Sequence, residues 1–459
     1  MRLARLIRRI FFAACWAAAL RASGQTSIRF ALKGRVVTPE GLVQNGTVIV
    51  SGSHIEDVGE LSVPAGTRVI ETEGLIYPGL VDLHNHLTWN VFPRWKSGMK
   101  FPNRYEWQLL PAYLKALADP HEHLIGEGLG PAMARYAEVK AIAGGATALA
   151  GLYPEDLGPG FRPPYRGLMR MLDVGSGIYP DGTPEPVRYH VYPLVLSEGD
   201  ASEIRDGLAT HRIRSLLIHL AEGGPNDASS MMEYRILKAR GLLLPGVTLI
   251  HGVALHEEQF REMARLGVGL VWSPRSNFEL YGATADVAAA KRAGVRIALA
   301  PDWSPTGSDG MLEELAYAAA LESSSREPVF SDSELLEMAT SVPAALAGAG
   351  DRIGAIRRGA CADLLIIRKS DLPGGSALDH ASPADVLMVM VGGRPVYGQR
   401  ALVESVSPGV DLSEVSVSGT TKVVALPSDP SIGNWHDLTA RLDAAMRALG
   451  THLGPISSD

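Results

Sequence analysis

Cysteine is nearly missing from this chain of 459 residues: only Cys15 and Cys361 occur. If residue 15 belongs to a removed leader, as argued below, no intramolecular disulfide can form and no thiolate metal site is available. A bound metal must then be held by His, Asp or Glu. Outside the N-terminus there is no Lys/Arg-rich run, and the formal net charge is −7, so the basic footprint of a nucleic-acid binder is absent. The apolar run at residues 10–20 falls short of the roughly 20 residues that span a bilayer, and no stable membrane span is expected in the processed chain. Internal repeats and low-complexity tracts are absent too. What is present is 46% hydrophobic and 20% charged, with 49 Gly and 30 Pro, which describes a globular, turn-rich chain sized for one large domain and a smaller one.

Residues 1–24 read as an export signal. Arg2, Arg5, Arg8 and Arg9 precede the apolar run Ile10 to Leu20, and small residues follow before Gln25. Cleavage there takes away five arginines and no acid, leaving a more acidic protein. The Arg8-Arg9 pair resembles a twin-arginine signal, which suits export of an already folded metalloprotein, although Ile7 stands where Ser or Thr is usual. A periplasmic or secreted location is the first expectation, a lipoprotein anchored through Cys15 the second, and an uncleaved cytoplasmic tail the third.

Residues 25–76 carry short β-rich runs, RFALKGRVVT and GTVIVSG, separated by the turn signals PEG and QNG; they predict a small antiparallel sheet. The same texture returns in 352–410, in GACADLLIIRKSDL and DVLMVMVGGRPVYG. Neither piece is large enough for a core of its own, so the two are expected to form one composite β-sandwich. Between them, 77–351 alternates apolar strands with helical periodicity. Strand and helix in repeated alternation give parallel strands with helices outside, and the length suits an α/β fold of the (β/α)8 TIM-barrel type, which takes about 250 residues. Seven strands are plain, and the eighth has to lie in the Gly- and Pro-rich stretch from Pro154 to Pro186. Residues 411–459, with VSVSGTTKVVAL and the amphipathic WHDLTARLDAAMRAL, are expected to pack on the body as strand and helix.

In such barrels the working residues stand at the C-terminal strand ends. Within VDLHNHL, period-two alternation puts His84 and His86 on one face with Asp82 a layer deeper, and Leu83 and Asn85 on the other. His219 and His251 end two later strands, and Asp302 ends the last. Taken singly, each is more often a hydrogen-bonded core residue. Together, histidines and a carboxylate with no cysteine suit one divalent metal, Zn2+ first, with Fe2+ or Mn2+ as rivals.

The motifs PGLVDLHNH, IHLAEG, TLIHGVAL, SPRSNFEL and ALAPDWSPTGS, in that order, resemble the amidohydrolase superfamily over roughly residues 27–400, in particular its aminohydrolases and chlorohydrolases of nitrogen heterocycles. The resemblance implies His84, His86, His219 and Asp302 as metal ligands, Glu222 as the proton shuttle, and His251 as a contact to substrate or to the attacking water. Elementary chemistry agrees: a metal pulls the pKa of a water toward about 7, Asp302 can take the proton, and Glu222 can pass it to a leaving nitrogen, a role worth about 10²–10⁴-fold. Fully extended chain would carry Glu222 about 10 Å beyond His219, so the loop must curl back, and Gly223-Gly224-Pro225 permits the turn. Relatives with two metals usually bridge them with a carboxylated lysine on the fourth strand; no lysine occurs between Lys140 and Lys238, which excludes a lysine-bridged pair and makes one metal the simpler reading. Asp82 is expected to brace a ligand imidazole.

Trp89, Phe92, Trp95, Phe101, Tyr105 and Trp107 follow the metal histidines closely and suggest a lid or wall over the pocket. Trp89, Trp95, Tyr105 and Trp303 are the expected substrate contacts, with Trp272 also near the mouth, and a flat or cyclic apolar ligand is implied. A long loop's need for hydrophobic anchors accounts for these residues equally well. Arg94, Arg104 and Arg275 either receive a substrate carboxylate or pair with surface acids. His121 and His123 follow Pro120 on an expected helix, where i and i+2 do not face each other; they are read as surface residues, and His190 as a core or substrate contact. The small-molecule reaction expected is hydrolysis of a non-peptide C–N bond, by deamination or by opening of a cyclic amide. After Asp302 the chain reads SPTGSDGMLEEL instead of the Asn-rich turn of nucleobase deaminases, which leaves linear amides or dipeptides open as substrates. A non-catalytic binding protein on the same barrel is the alternative of another class, although no site residue is missing. A homo-oligomer is left open.

Overall fold

The structure is a computed structural model, in which residues 29–162, 165–175, 178, 187–368, 374–426 and 432–457 are described. The expected leader, 1–24, lies outside the described residues. Alternating apolar residues and turn signals set up four strands at the start: β1 (Arg29–Thr38), β2 (Gly41–Ser51), β3 (His54–Gly59) and β4 (Arg68–Pro78). Gly41, at φ +126°, allows the tight turn between the first two. β1–β2 and β2–β3 are antiparallel, but β1 and β4 run parallel. The expected antiparallel sheet is therefore mixed, because the chain after β3 crosses to the far edge of β1 before it re-enters the sheet.

The chain then builds eight parallel strands: β5 (Leu80–Asp82), β6 (Ala146–Leu149), β7 (Arg170–Met171), β8 (Val187–His190), β9 (Ser215–Leu220), β10 (Val247–His251), β11 (Gly269–Trp272) and β12 (Ile297–Leu299). They pair in two arcs, β5-β6-β7 and β8-β9-β10-β11-β12. A backbone bridge between Asn85 and Asp302 joins the end of β12 to that of β5, with the Asp302 N–H donating to the His84 carbonyl at 3.1 Å. The strand expected between Pro154 and Pro186 is only two residues long, too short to leave a periodic signal. Alternate strand residues go to different clusters. Val81, Ala148, Leu217, Ile250, Val271 and Ala298 share one buried cluster, while Leu80, Ala146, Leu216, Leu249, Leu270 and Leu299 join the cluster that includes the helices. The fold is thus an α/β barrel with a β-rich second unit.

That unit is completed after the barrel by β13 (Leu364–Arg368), β14 (Val386–Val391), β15 (Arg394–Gly398), β16 (Ser413–Val417) and β17 (Thr420–Val424). β13 lies antiparallel to β4, with Ile366 opposite Ile76, so both chain segments form one continuous nine-stranded sheet, β16-β17-β15-β14-β13-β4-β1-β2-β3. The strands of the C-terminal tail extend this sheet. The tail's helix, Trp435–Ala448, packs instead on the barrel's helical layer, where Trp435 stacks on Tyr136 at 5.4 Å.

Candidate metal centre and active site

β5 ends at Asp82, so His84 and His86 lie on the bend beyond it, and strand alternation is not what aims them. Asp82 holds that bend: Oδ1 accepts from the His84 N–H at 3.0 Å and Oδ2 from Asn85 Nδ2 at 2.8 Å. It staples backbone and braces no imidazole, contrary to the sequence expectation. A polar chain continues from there. Asn90 Nδ2 donates to Asn85 Oδ1 at 2.8 Å, and the Ser304 N–H donates to Asn90 Oδ1 at 2.8 Å, which ties the histidine bend to the turn after Asp302.

Four distant groups meet above this frame. His84 Nε2 lies 3.1 Å from His219 Nε2, which lies 3.2 Å from His86 Nε2; Asp302 Oδ1 is 3.2 Å from His84 Nε2 and 3.4 Å from His86 Nε2. A tetrahedral ion with bonds of about 2.0–2.1 Å places its ligands about 3.3 Å apart, so the donor spacing fits one cation. The tautomer fits as well. His219 Nδ1 donates to the His190 carbonyl at 3.1 Å, which leaves its Nε2 lone pair turned toward the other imidazoles, an arrangement that calls for positive charge among them. Burial drives the three imidazoles toward the neutral, ligand-competent form, His84 and His219 well below the usual histidine range and His86 down to about 3. Burial, and then the field of Glu222, pushes the Asp302 carboxyl well up. His251, with His84 and His219, makes a second set of donors within 4.8 Å of one another.

Glu222 reaches this cluster because Ala221 adopts φ +53° directly after β9 and turns the chain back. The buried carboxylate accepts from the Tyr281 hydroxyl at 2.6 Å; its other oxygen lies 3.3 Å from Arg104 Nη1 and 3.6 Å from His251 Nε2. Burial would raise its pKa, but His251, Arg104 and the Tyr281 hydrogen bond outweigh that and hold it below the usual glutamate range. Arg104 is itself wholly buried, donating to Glu233 at 2.9 Å and to the Val191 carbonyl at 2.5 Å. Glu233 in turn accepts the Ala221 N–H at 2.6 Å. His251 and Asp302 share the left-handed backbone of Ala221, at φ +72° and +68°. Such residues cost about 1–3 kcal/mol each and persist where surrounding structure fixes them.

Much of that fixing comes from one segment. Ser273 Oγ meets His84 Nδ1 at 2.7 Å, Ser276 Oγ donates to Asp302 Oδ2 at 2.5 Å, and Asn277 Oδ1 accepts from His251 Nδ1 at 2.9 Å. The Asn277 amide nitrogen is engaged with Thr284, so its oxygen is the acceptor and His251 Nε2 keeps a lone pair on the side facing Glu222. Ser273 precedes the helix Pro274–Tyr281, and positions 276 and 277 follow at i+3 and i+4, which puts all three on one face. Sequence reasoning missed these residues, as it missed the roles of Arg104, Glu233 and Tyr281. The available signal was three polar residues at helical spacing directly after the apolar run GLVW.

The cavity over the donors measures about 370 Å³ and is walled by Trp89, Trp107, Tyr113, Tyr153, Tyr189 and Trp303. Of the expected substrate contacts, Trp89 and Trp303 line it, whereas Trp95 and Tyr105 do not. Trp95 is buried against Phe101, Trp107 and Tyr113, and Tyr105 turns its hydroxyl to Glu233. Trp272 also lies away from the mouth, buried beside Phe330 with its N–H on Thr284. Wall and anchor residues interleave along the lid, and aromatic content alone does not separate them. His121 is not a surface residue: it is buried, stacked on Trp89 at 3.8 Å, and hydrogen-bonded to Thr88 at 2.9 Å. His123 is exposed. His190 lines the cavity. Arg94 and Arg275 are taken up by the Gly307 carbonyl and by Glu313.

A family model described as Amidohydrolase family matches residues 212–397. A 5-methylthioadenosine/S-adenosylhomocysteine deaminase of Desulforudis audaxviator is 33% identical over 203 residues, which is 41% of this chain and only 47% of that protein. The corresponding deaminase of Syntrophobacter fumaroxidans is 26% identical over 409 residues, 81% of this chain and 93% of its own length. Among solved structures, an adenosine deaminase from Xanthomonas campestris with bound zinc superposes with a TM-score of 0.61 at 20% identity, covering 82% of this chain and 96% of that one.

Proposed function

Because the chain belongs to the amidohydrolase superfamily, we propose that it hydrolyses an amino-substituted nitrogen heterocycle and releases ammonia. It is a metal-dependent hydrolase of non-peptide C–N bonds in heterocycles. In our reading His84, His86, His219 and Asp302 hold one divalent cation, and Zn2+ suits three imidazoles and a carboxylate without a thiolate. The cation supplies Lewis acidity, which draws the pKa of a water toward about 7.

The protein's own groups handle protons and position. Ser276 donates to Asp302 Oδ2 and fixes the carboxylate with Oδ1 among the imidazole nitrogens, beside the point where this carboxylate would take the second proton of the attacking water. Tyr281 occupies Glu222 Oε1, which leaves Oε2, an ionised acceptor beside His251, to take one proton of the attacking water and deliver it to the departing nitrogen. His251, its Nδ1 held by Asn277, turns its Nε2 lone pair into the site, where it accepts a hydrogen bond from the attacking water. The indole and phenol walls exclude bulk water and accept a flat ring.

The observation that carries this reading is the closure of donors from two strand ends and one bend within 3.4 Å of their neighbours, with Glu222 beside His251 at the same cluster. The dipeptide alternative loses support because, among the described residues, no Lys or Arg lines the cavity, so a substrate carboxylate would find no cationic side chain away from the metal. The test is metal analysis followed by ammonia release from a panel of aminoheterocycles. Metal-replete protein should turn over at least one of them, chelation should abolish this, and Glu222→Gln should lower kcat by about 10²–10⁴-fold with metal content unchanged. Full activity in Glu222→Gln would remove the carboxylate from the mechanism. We also propose export through residues 1–24, supported by the Arg8-Arg9 pair before an apolar run; N-terminal sequencing of the protein from its host checks it.

A further inference from the structure

The cavity changes character from its floor to its mouth. Its floor is the donor cluster with Glu222, and its acidic side chains are Glu222 and Asp302, both already engaged in the site. Arg104, the nearest guanidinium, sits behind Glu222 and is fully buried between two carboxylates. Away from the cation proposed at the floor, the lining among the described residues thus offers no uncommitted charged side chain to a charged substrate group.

At the mouth the surface is apolar and exposed. Val195 belongs to the same cavity lining and is 77% exposed, and Tyr192 beside it is 44% exposed. Of the eight exposed large hydrophobics among the described residues, five (Leu109, Leu114, Tyr192, Leu194 and Val195) fall in two short segments, 108–114 and 192–195, while Val69, Met99 and Met232 stand apart. These segments are joined across the opening. The Tyr192 hydroxyl lies 3.4 Å from Gln108 Oε1, Arg104 donates to the Val191 carbonyl, and the Arg104 guanidinium lies 5.3 Å from the Tyr192 ring centre. Scattered exposed hydrophobics are ordinary, but a cluster continuous with a catalytic cavity marks a binding surface.

We propose that the substrate is an uncharged heterocycle carrying an apolar substituent, with the ring on the floor of the cavity and the substituent against Val195 and Tyr192. The inference rests on the heterocycle hydrolysis proposed above and adds the substrate's outer half. An anionic group carried on the ring itself would meet the aromatic wall with no Lys or Arg partner among the described residues, so anionic rings are disfavoured at the depth where water is excluded.

The experiment uses one aminoheterocycle with linear alkyl substituents of zero, two, four and six carbons on the purified holoenzyme. kcat/KM should rise about two- to fourfold per methylene until the chain leaves the cavity. Val195→Asp should flatten that slope and Val195→Leu should keep it, each compared with the unsubstituted ring in the same enzyme. Calorimetric Kd values for the same series on Glu222→Gln protein read the slope independently of turnover. Turnover of the bare ring with a flat slope in both measurements overturns the apolar-substituent inference and leaves the hydrolase reading intact. Absence of turnover with a steep binding slope does the reverse. A Val195→Asp protein that changes its oligomeric state and keeps the full slope also overturns the inference, since the mouth would then be a contact between copies of the chain.

Discussion

Arg104→Leu tests whether the lid is locked over the site by charge. The guanidinium faces Glu222 and Glu233, which are 6% and 1% exposed. Removing one partner of a buried pair costs about 3–5 kcal/mol because the remaining charge is stranded, and the Val191 carbonyl loses its donor for about 1 kcal/mol more. Protonation offers partial relief. Burial already raises the Glu233 pKa against the pull of Arg104, and without the arginine it rises further. A carboxyl whose folded pKa exceeds its unfolded value of about 4.3 contributes stability that is complete below that value and is lost as pH rises through the folded pKa. The deficit of the variant should therefore grow from pH 5 to pH 8. Urea unfolding at both pH values measures it, with Arg104→Leu/Glu233→Leu as the comparison. The double variant should recover about 2 kcal/mol or more of the loss at pH 8, since its second stranded charge is gone. A deficit below about 1 kcal/mol at pH 8, equal deficits at the two pH values, or no recovery in the double variant would refute the argument.

Other perturbations separate support from chemistry. Ser276→Ala frees Asp302 Oδ2 and should weaken metal affinity about 10–100-fold, read by competition with a chromogenic chelator. His121→Ala removes the ring stacked on Trp89; KM for the heterocycle should rise about two- to tenfold, with metal content unchanged. Asp302→Asn should bind less metal than wild type and show no activity with added Zn2+, measured by mass spectrometry of dialysed protein and by ammonia release.

The parts of the site that a sequence displays are those with distinctive chemistry at the end of an apolar run. His219 is the penultimate residue of β9 and His251 the last of β10, and Asp302 follows β12 by three residues, so strand-end logic reaches them. His84 and His86 are also reached, but through a premise that fails: the strand stops at Asp82, and the bend beyond it depends on Asp82, Asn85 and Asn90. Arg104 could not be placed because its carboxylate partners lie 118 and 129 positions away. Trp95 and Tyr105 look like Trp89 and Trp107 in sequence, and only packing separates anchor from wall. The parallel β1–β4 pair is hidden for a related reason, since hairpin signals specify neighbours in sequence and are silent about crossovers.

The supporting residues also explain how the strained backbone is tolerated. Ala221, His251 and Asp302 all hold left-handed conformations, at about 1–3 kcal/mol each. Each is pinned by a buried partner: Ala221 by Glu233, His251 by Asn277 and Asp302 by Ser276. Glu233 is in turn held by Arg104, which comes from the lid. Lid, strand ends and the helix after β11 are therefore mechanically one unit, and a change in any of them reaches the donor cluster through at most two hydrogen bonds. Residue types such as Ser, Asn and Ala mark this in the sequence only by their spacing, as Ser273, Ser276 and Asn277 do at i, i+3 and i+4, because their contribution is position and not reactivity.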